Sequence, residues 1–425
     1  MERERLIYHI DVNSAFLSWE AAYRLQVNEN ALDIREIPSI IGGDERQRHG
    51  IVLAKSVPAK KYGIQTGEPI RDAVAKCPKI MICPPCYDLY ERCSRAMCRE
   101  LEAYSPHIEK YSIDECFVDM TETIHLFGDP VATAEGLRER IKTKLGFTVN
   151  IGVGPNKLLA KMASDFQKPD RVHTLFEQEI AKKMWPLPVE DLFFAGRATC
   201  RKLHKLGIFT IGQLAQFDLE LLQDHIGKKH GALIHQYANG RDDSCVEMEE
   251  TANKGYGNSI TISHDVTEEA EAKHILLSLA ENVAARLRKD QVKADCVCLE
   301  LKNHLFERYS HQKKLTGATD ITNELYQAAV QLLLESWQGE PLRLLGIRAS
   351  GISKESYQFG LFDYEKKQKL QEMDKAIDDI RIRFGRDAVK RASFLQGETE
   401  HMTGGISRKK QEGIGEYIFS PKQNL

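Results

Sequence analysis

A chain of 425 residues exceeds what one core organises and implies two to four domains. With 42% hydrophobic and 28% charged residues it has an ordinary globular composition, and no apolar run approaches the roughly 18 residues of a membrane span. The net charge of −3 carries no global sign of nucleic acid, so phosphate contacts must come from local Lys and Arg patches.

The start, Met1 to Arg5, contains acidic residues and does not read as a signal peptide, which points to a cytoplasmic protein. Ten cysteines in such a chain read as reduced thiols rather than a disulfide framework. Leu6 to Val12 reads as a buried strand ending on an acidic residue, and Ser14 to Leu25 as a helix. Residues 28–83, with Gly42, Gly43, Gly50, Gly63 and Gly67, read as short elements joined by turns. Leu89, Cys93, Met97 and Leu101 recur at helical spacing across about 87–104.

Two strand-like runs, 107–113 and 116–120, then flank Asp114-Glu115, followed by a helix over 131–145, a strand at 147–153 and a helix at 156–166. This order fits a split βαβ sheet of ferredoxin-like type, which sets the end of the first strand beside the hairpin junction. Residues 173–242 are helical, and 242–258 reads as a polar linker. Residues 259–352 alternate again, with a helix over 268–289 and strands at 295–302 and 342–350. The polar tail carries one helix with an apolar stripe of Leu370, Met373, Ile377, Ile380 and Phe384.

Phosphoryl transfer needs aligned reactants and neutralised charge more than covalent help from the protein. Hard cations take oxygen ligands, so Asp11, the Val12 carbonyl, Asp114 and Glu115 form a candidate site for two Mg²⁺ ions, with Mn²⁺ a possible substitute. Taken singly these carboxylates are ordinary turn and cap residues. Phe16, five residues after Asp11, is either a core ring or a wall that excludes a 2′-hydroxyl. Lys60, Lys61 and Lys168 are candidate triphosphate contacts.

The segments HIDVNSAF (9–16), VPAKKYGI (57–64), YSIDECFVDMT (111–121) and VNIGVGPNKLLAKMASDFQKP (149–169) together resemble the Y-family DNA polymerases of the DinB, or polymerase IV, type. The likeness continues through KLHKLGIFTIGQLA (202–215) and RLLGIRASGI (343–352). It implies an α+β multidomain right hand: palm at 1–20 and 84–172, fingers at 21–83, a helix-hairpin-helix thumb at 173–242, a linker at 243–258, a little finger at 259–352 and a tail at 353–425. It also implies low-fidelity, template-directed translesion DNA synthesis without proofreading, in a bacterial monomer acting on primer-template DNA and deoxynucleoside triphosphates. By position, Asp11, Asp114 and Glu115 become the metal ligands, Phe16 the steric gate and Lys168 the triphosphate lysine; Lys161 and Asp165 receive no role.

The fingers depart from the family pattern. Val57 and Lys60 stand where Tyr and Arg are usual, Ala54 where Thr is common, and Asn13 where an acidic residue is frequent. Lys keeps the charge of Arg but loses its bidentate fork, so a weaker triphosphate grip is expected. In the thumb, Gly196, Gly207 and Gly227 suit hairpins that offer backbone N–H groups to DNA phosphates, with Arg197, Lys228 and Lys229 adding charge. Phe194 replaces a usual glycine and is expected to distort the first hairpin. Lys302, Arg308, Lys313 and Lys314 are the little-finger candidates for the DNA backbone.

Gln358, Leu361 and Phe362 resemble the peptide that bacterial replication proteins insert into the sliding clamp. Cys83, Cys86, Cys93 and Cys98 have part of a zinc spacing, but Cys93 falls on an apolar helix face and a core reading is preferred. Two other functions compete. One is a catalytically weak DNA- and clamp-binding regulator, favoured by Val57, Ala54 and Lys60; the other is a nucleotide cyclase using a similar palm.

Overall fold

The computed structural model describes residues 4–43, 50–248, 252–354, 364–395 and 401–402. They divide into two compact units that meet in sequence near residue 250.

The first unit opens with β1 (Ile7–Val12) and α1 (Ala15–Val27). A small segment follows: β2 (Ser39–Gly42), β3 (Val52–Lys55), α2 (Val57–Lys60), α3 (Ile70–Lys76) and β4 (Met81–Cys83). Its three strands form their own sheet in the order β3-β2-β4 around Ile40, Val52, Ile64 and Ile70. The chain then returns through α4 (Tyr87–Glu102), β5 (Ile108–Lys110), β6 (Glu115–Asp119), α5 (Pro130–Leu145), β7 (Val149–Gly154), α6 (Lys157–Asp165) and β8 (Val172–Thr174). These strands make a five-stranded sheet in the order β5-β6-β1-β7-β8, with β1 antiparallel to both neighbours. This is the expected split βαβ arrangement, extended by β8 running parallel to β7.

Local chemistry explains the elements. All six residues of β1 are buried, as a central strand covered on both faces requires. The helix α4 turns Leu89, Cys93, Met97 and Leu101 into the core with Tyr8, Trp19 and Phe147. Asp129 caps α5 through the Ala132 N–H, Pro130 occupies its first turn, and Gly146 at φ 74° ends it. Asn156 caps α6 through the Leu159 N–H. Gly152 lets α6 lie directly on β7, since a Cβ there would sit 1.9 Å from the Ala160 carbonyl oxygen.

Helices α7 (Arg197–Lys205), α8 (Ile211–Gln216), α9 (Leu219–Ile226) and α10 (Lys228–Ala238) complete the first unit. They pack around Cys200, Leu203, Ile211, Leu214, Leu222 and Ile234.

The second unit contains β9 (Gly255–Val266), α11 (Glu269–Lys289), β10 (Lys293–Asn303), β11 (Arg308–Thr319), α12 (Thr322–Ser336), β12 (Leu342–Ser353) and α13 (Tyr364–Phe384). The sheet order is β11-β10-β12-β9, with α11 and α12 covering one face. Strand β9 begins at Gly255, inside the polar stretch read as a linker, because Tyr256 is buried and pairs with Ala349. The tail helix exists, but its expected apolar stripe is not its docking face. Met373, Ile380 and Phe384 are exposed, whereas Asp374 is buried. The surface it meets on α11 offers charges: Arg288 pairs with Asp374 and Asp378, and buried Glu281 pairs with Arg381 and Arg391. No helix among the described residues is long and apolar enough to cross a membrane.

Candidate active site

The β1–β6 register sets Asp11 directly opposite Glu115. Residues 111–113 leave the expected strand and bend instead, with Ser112 Oγ donating to Asp114 Oδ1 at 2.7 Å. The Val12 N–H donates to the Asp114 carbonyl at 3.1 Å, which ties the end of β1 to that bend. Asp114 is pushed above the ordinary carboxyl range by burial first, then by the negative charges of Asp11 and Glu115. Residues 103 positions apart in sequence therefore share one patch of negative potential.

Two lysines answer that charge. Lys161, buried on α6, reaches Glu115 Oε1 at 3.0 Å, Asp11 Oδ2 at 3.4 Å and Asp165 Oδ2 at 3.4 Å. Lys168 bridges Asp11 Oδ2 and Asp165 Oδ1, both at 2.8 Å. Burial would lower both ammonium groups, but the carboxylates, Asp11 foremost, hold both raised. Burial would likewise raise Glu115; His9 and Lys161 overcome it and hold the carboxyl at about 2. Lys161 makes the hydrogen bond, whereas His9 Nε2, at 3.6 Å from Glu115 Oε2, has no hydrogen-bond partner.

Ser164 explains the His9 geometry. Its hydroxyl donates to the Lys161 carbonyl at 2.7 Å, so the contact at 2.8 Å with His9 is assigned as Nδ1–H donating to Ser164. Sequence reading gave Lys161 and Asp165 no role and missed His9 and Ser164. The available signal was spacing: Lys161, Ser164 and Asp165 recur at three- and four-residue intervals, one face of α6.

Among the described residues, no group of three or more His, Cys, Asp or Glu side chains forms a ready-made metal cage. The donor set nonetheless fits Mg²⁺, which takes hard oxygens and is usually held by one or two carboxylates plus substrate phosphates. The charge that Asp11 and Glu115 impose on Asp114, and the lysines they draw in, mark a place built for cations.

The impB/mucB/samB family pattern matches residues 10–165, its C-terminal domain matches 253–361, and a DNA polymerase-iota thumb domain matches 191–242. The chain is 45% identical over 395 residues to DNA polymerase IV of Clostridium acetobutylicum, covering 93% of this chain and 99% of that protein. The chain belongs to the Y-family of DNA polymerases, DinB (polymerase IV) type. DNA polymerase IV of Acetivibrio thermocellus is 37% identical, with 92% of this chain and 98% of that protein covered. A Dbh–Dpo4 Y-family polymerase chimera shares the fold at a TM-score of 0.71 and 20% identity, over 82% of this chain and all of the chimera. The organisation is that of palm, fingers, thumb and little finger.

Around the Y-family palm, Phe16 is half-buried, stacked on Tyr90 with centroids 4.4 Å apart and edge-on to Tyr87 at 6.0 Å. Asn13 is a structural amide: it donates to Asn150 Oδ1 at 3.1 Å and accepts from the Asp170 N–H at 2.9 Å. A carboxylate could not make both bonds. In the fingers, Lys60 and Val57 are exposed at opposite ends of α2, and Ala54 is buried. Burial, then the neighbouring Lys60 charge, lowers Lys55. Lys61 follows as the C-cap of α2.

In the thumb, Gly196 is the N-cap of α7 with Arg197 as its first residue, Gly207 turns at φ 75°, and Gly227 at φ 111° joins α9 to α10 just before Lys228 and Lys229. The expected distortion at Phe194 takes a specific form. Phe194 itself adopts the left-handed conformation at φ 71°, and its ring packs edge-on against Phe193.

The little finger divides the four proposed cations. Lys302 is the register partner of Arg308, and Lys314 pairs with Cys296, all on the open sheet face. Lys313 pairs with buried Val297 and donates to Gln331 on α12, so it lies on the helix-covered side. Lys302 and Arg343 both sit over the Phe306 ring. Glu300 pairs with Arg308, and Asp295 with Lys314, which thins the positive field. Cys83 and Cys93 are buried, Cys86 caps α4, and Cys98 contacts Cys116. Gln358, Leu361 and Phe362 lie outside the described residues.

Proposed function

We propose that the palm site built on Asp11, Asp114 and Glu115 carries the template-directed, low-fidelity DNA synthesis of this polymerase family. The observation that supports it most is the register placing Asp11 against Glu115 with two lysines drawn onto the same carboxylates. Family membership implies Mg²⁺-dependent catalysis. Asp11, Asp114, Glu115 and the Val12 carbonyl would hold two ions, with Mn²⁺ able to replace Mg²⁺. When bound, the metal supplies charge neutralisation and activation of the primer hydroxyl.

The remaining work falls to the chain's own groups. Lys168, now committed to Asp11 and Asp165, is the flexible cation that turns to the triphosphate as substrate enters, with Lys60 gripping from the fingers. Phe16, braced on Tyr90, excludes a 2′-hydroxyl. Lys161 stays buried and holds Asp11 and Glu115 in place. Gly196, Gly207 and Gly227, with Arg197, Lys228 and Lys229, steady the duplex through its phosphates, as do Lys302, Arg308 and Lys314. Lys313 serves the sheet–helix packing instead. The polymerase acts as a cytoplasmic monomer, and Gln358, Leu361 and Phe362 recruit it to a sliding clamp.

Primer extension tests this reading. Asp11→Ala or Glu115→Ala should cut extension by roughly a thousandfold, about 4 kcal/mol, with primer-template affinity kept within a few fold. Normal extension by either variant removes the assignment. Clamp-stimulated extension should disappear in the double variant Leu361→Ala, Phe362→Ala, and its persistence removes the clamp peptide.

A further inference from the structure

Cys98 and Cys116 are the pair among the ten free cysteines whose sulfurs touch, at 3.7 Å. Cys98 lies part-exposed on α4, and Cys116 is fully buried on β6. The register partner of Cys116 is Lys110 on the edge strand β5. A cleft lined by Glu91, Arg95, Lys110 and Ile113 opens at this edge, one helical turn from Cys98. The site therefore has a reachable sulfur, a second sulfur behind it and a cation beside both.

We propose that Cys98 and Cys116 are a thiol-oxidation site, which hydrogen peroxide converts into a disulfide that slows nucleotide addition. The effect on addition rests on the palm assignment above; the sulfur chemistry does not. The Cys98 thiolate attacks one peroxide oxygen, the O–O bond breaks, and the departing hydroxide takes up the proton the thiol had released and leaves as water, with a sulfenic acid remaining on Cys98. The Cys116 sulfur then attacks the Cys98 sulfur, the S–O bond breaks, and a second water carries away the Cys116 proton. The balance is two thiols and one peroxide giving one disulfide and two waters. The hydrogen bond from Cys116 draws the Cys98 thiol below its ordinary range; burial opposes this and Lys110 assists it.

A disulfide needs its sulfurs at about 2.05 Å, so the pair must close by roughly 1.7 Å. Cys98 covers part of that by rotating at the helix surface, and β6 must cover the rest. Cys116 directly follows Glu115 and is the register partner of Ile10, so movement of β6 passes into the Asp11–Glu115 pair. A displacement approaching 1 Å at reacting groups costs roughly a hundredfold at most, and a tenfold loss is expected here.

The test treats the full chain with hydrogen peroxide, quenches free thiols and maps peptides without reduction. The expected result is a Cys98–Cys116 cross-linked peptide, a roughly tenfold slower extension and recovery on adding dithiothreitol. Cys98→Ser and Cys98→Ala should keep untreated activity and ignore peroxide; the second guards against a folding defect in the first. Absence of the cross-link overturns the proposal, as do undiminished extension by cross-linked enzyme and equal peroxide sensitivity of both variants. Failure of the palm reading would appear separately, as Asp11→Ala enzyme that still extends primers.

Discussion

Lys161→Met replaces a buried ammonium with a neutral side chain of similar length. Glu115 titrates at about 2 rather than at its ordinary 4.5, equivalent to about 3 kcal/mol of preference for the charged carboxylate in the fold. Its side chain is 19% exposed, so solvent screening removes little of this. A depressed carboxyl stabilises the fold above about pH 4.5 and loses that contribution as pH falls towards 2. Removing Lys161 leaves Asp11 and Asp165 with Lys168 and Glu115 with His9 alone beside it, at a cost of about 2 kcal/mol near neutral pH, since His9 supplies part of the preference. Urea unfolding followed through Trp19, which is buried in the palm core, should therefore show a large gap between variant and parent at pH 7. At about pH 3 the gap should narrow by at least ~1 kcal/mol, because Glu115 of the variant is then protonated. Other depressed carboxyls are common to both proteins and cancel in the difference. Mg²⁺ should narrow the gap at pH 7, by neutralising the same carboxylates. An equal gap at both pH values would show that Lys161 contributes packing rather than charge.

Three further outcomes follow from the geometry. Gly152→Ala places a Cβ 1.9 Å from the Ala160 oxygen and 2.5 Å from the Ser164 nitrogen, so α6 must lift from β7; a loss of about 3 kcal/mol is expected in thermal melts, together with loss of extension. Phe194→Gly relieves about 1 kcal/mol of left-handed backbone and forfeits an edge-on ring contact of similar size; net stability within about 1 kcal/mol and unchanged DNA affinity would support this, and a loss above about 2 kcal/mol would assign the ring a larger role. Phe16→Ala should raise ribonucleotide insertion at least roughly tenfold while costing about 2 kcal/mol of stability from the lost stack on Tyr90; single-nucleotide insertion with ribo- and deoxyribonucleotides reads the first, and unchanged sugar selection removes the gate.

The palm was legible because its strands and helices carry strong, distinct periodicities, and because sheet topology follows from their order. The pairing of Asp11 with Glu115 came from that order alone. The network around them was not legible: Lys161, His9 and Ser164 matter through burial and hydrogen-bond direction, which periodicity does not encode. The tail shows the same limit from the other side. Its apolar stripe predicted the helix, but the docking face was decided by Arg288 and Glu281 on α11, far away in sequence. Lys313 and Lys314 are neighbours in sequence, yet the two-residue period of β11 sends them to opposite faces.

The position of β1 has a consequence for where this polymerase can yield. Its backbone is bonded on both edges, to β6 and to β7, and every residue in it is buried. Amides of this kind exchange with solvent through opening of the whole unit rather than by local fraying. Hydrogen exchange should therefore find Ile10 among the most protected amides and the exposed turn at Lys60 and Lys61 among the least. On the proposed assignment of Asp11, whatever accommodation an irregular template demands falls to the more exposed fingers, while the strand that carries Asp11 stays fixed.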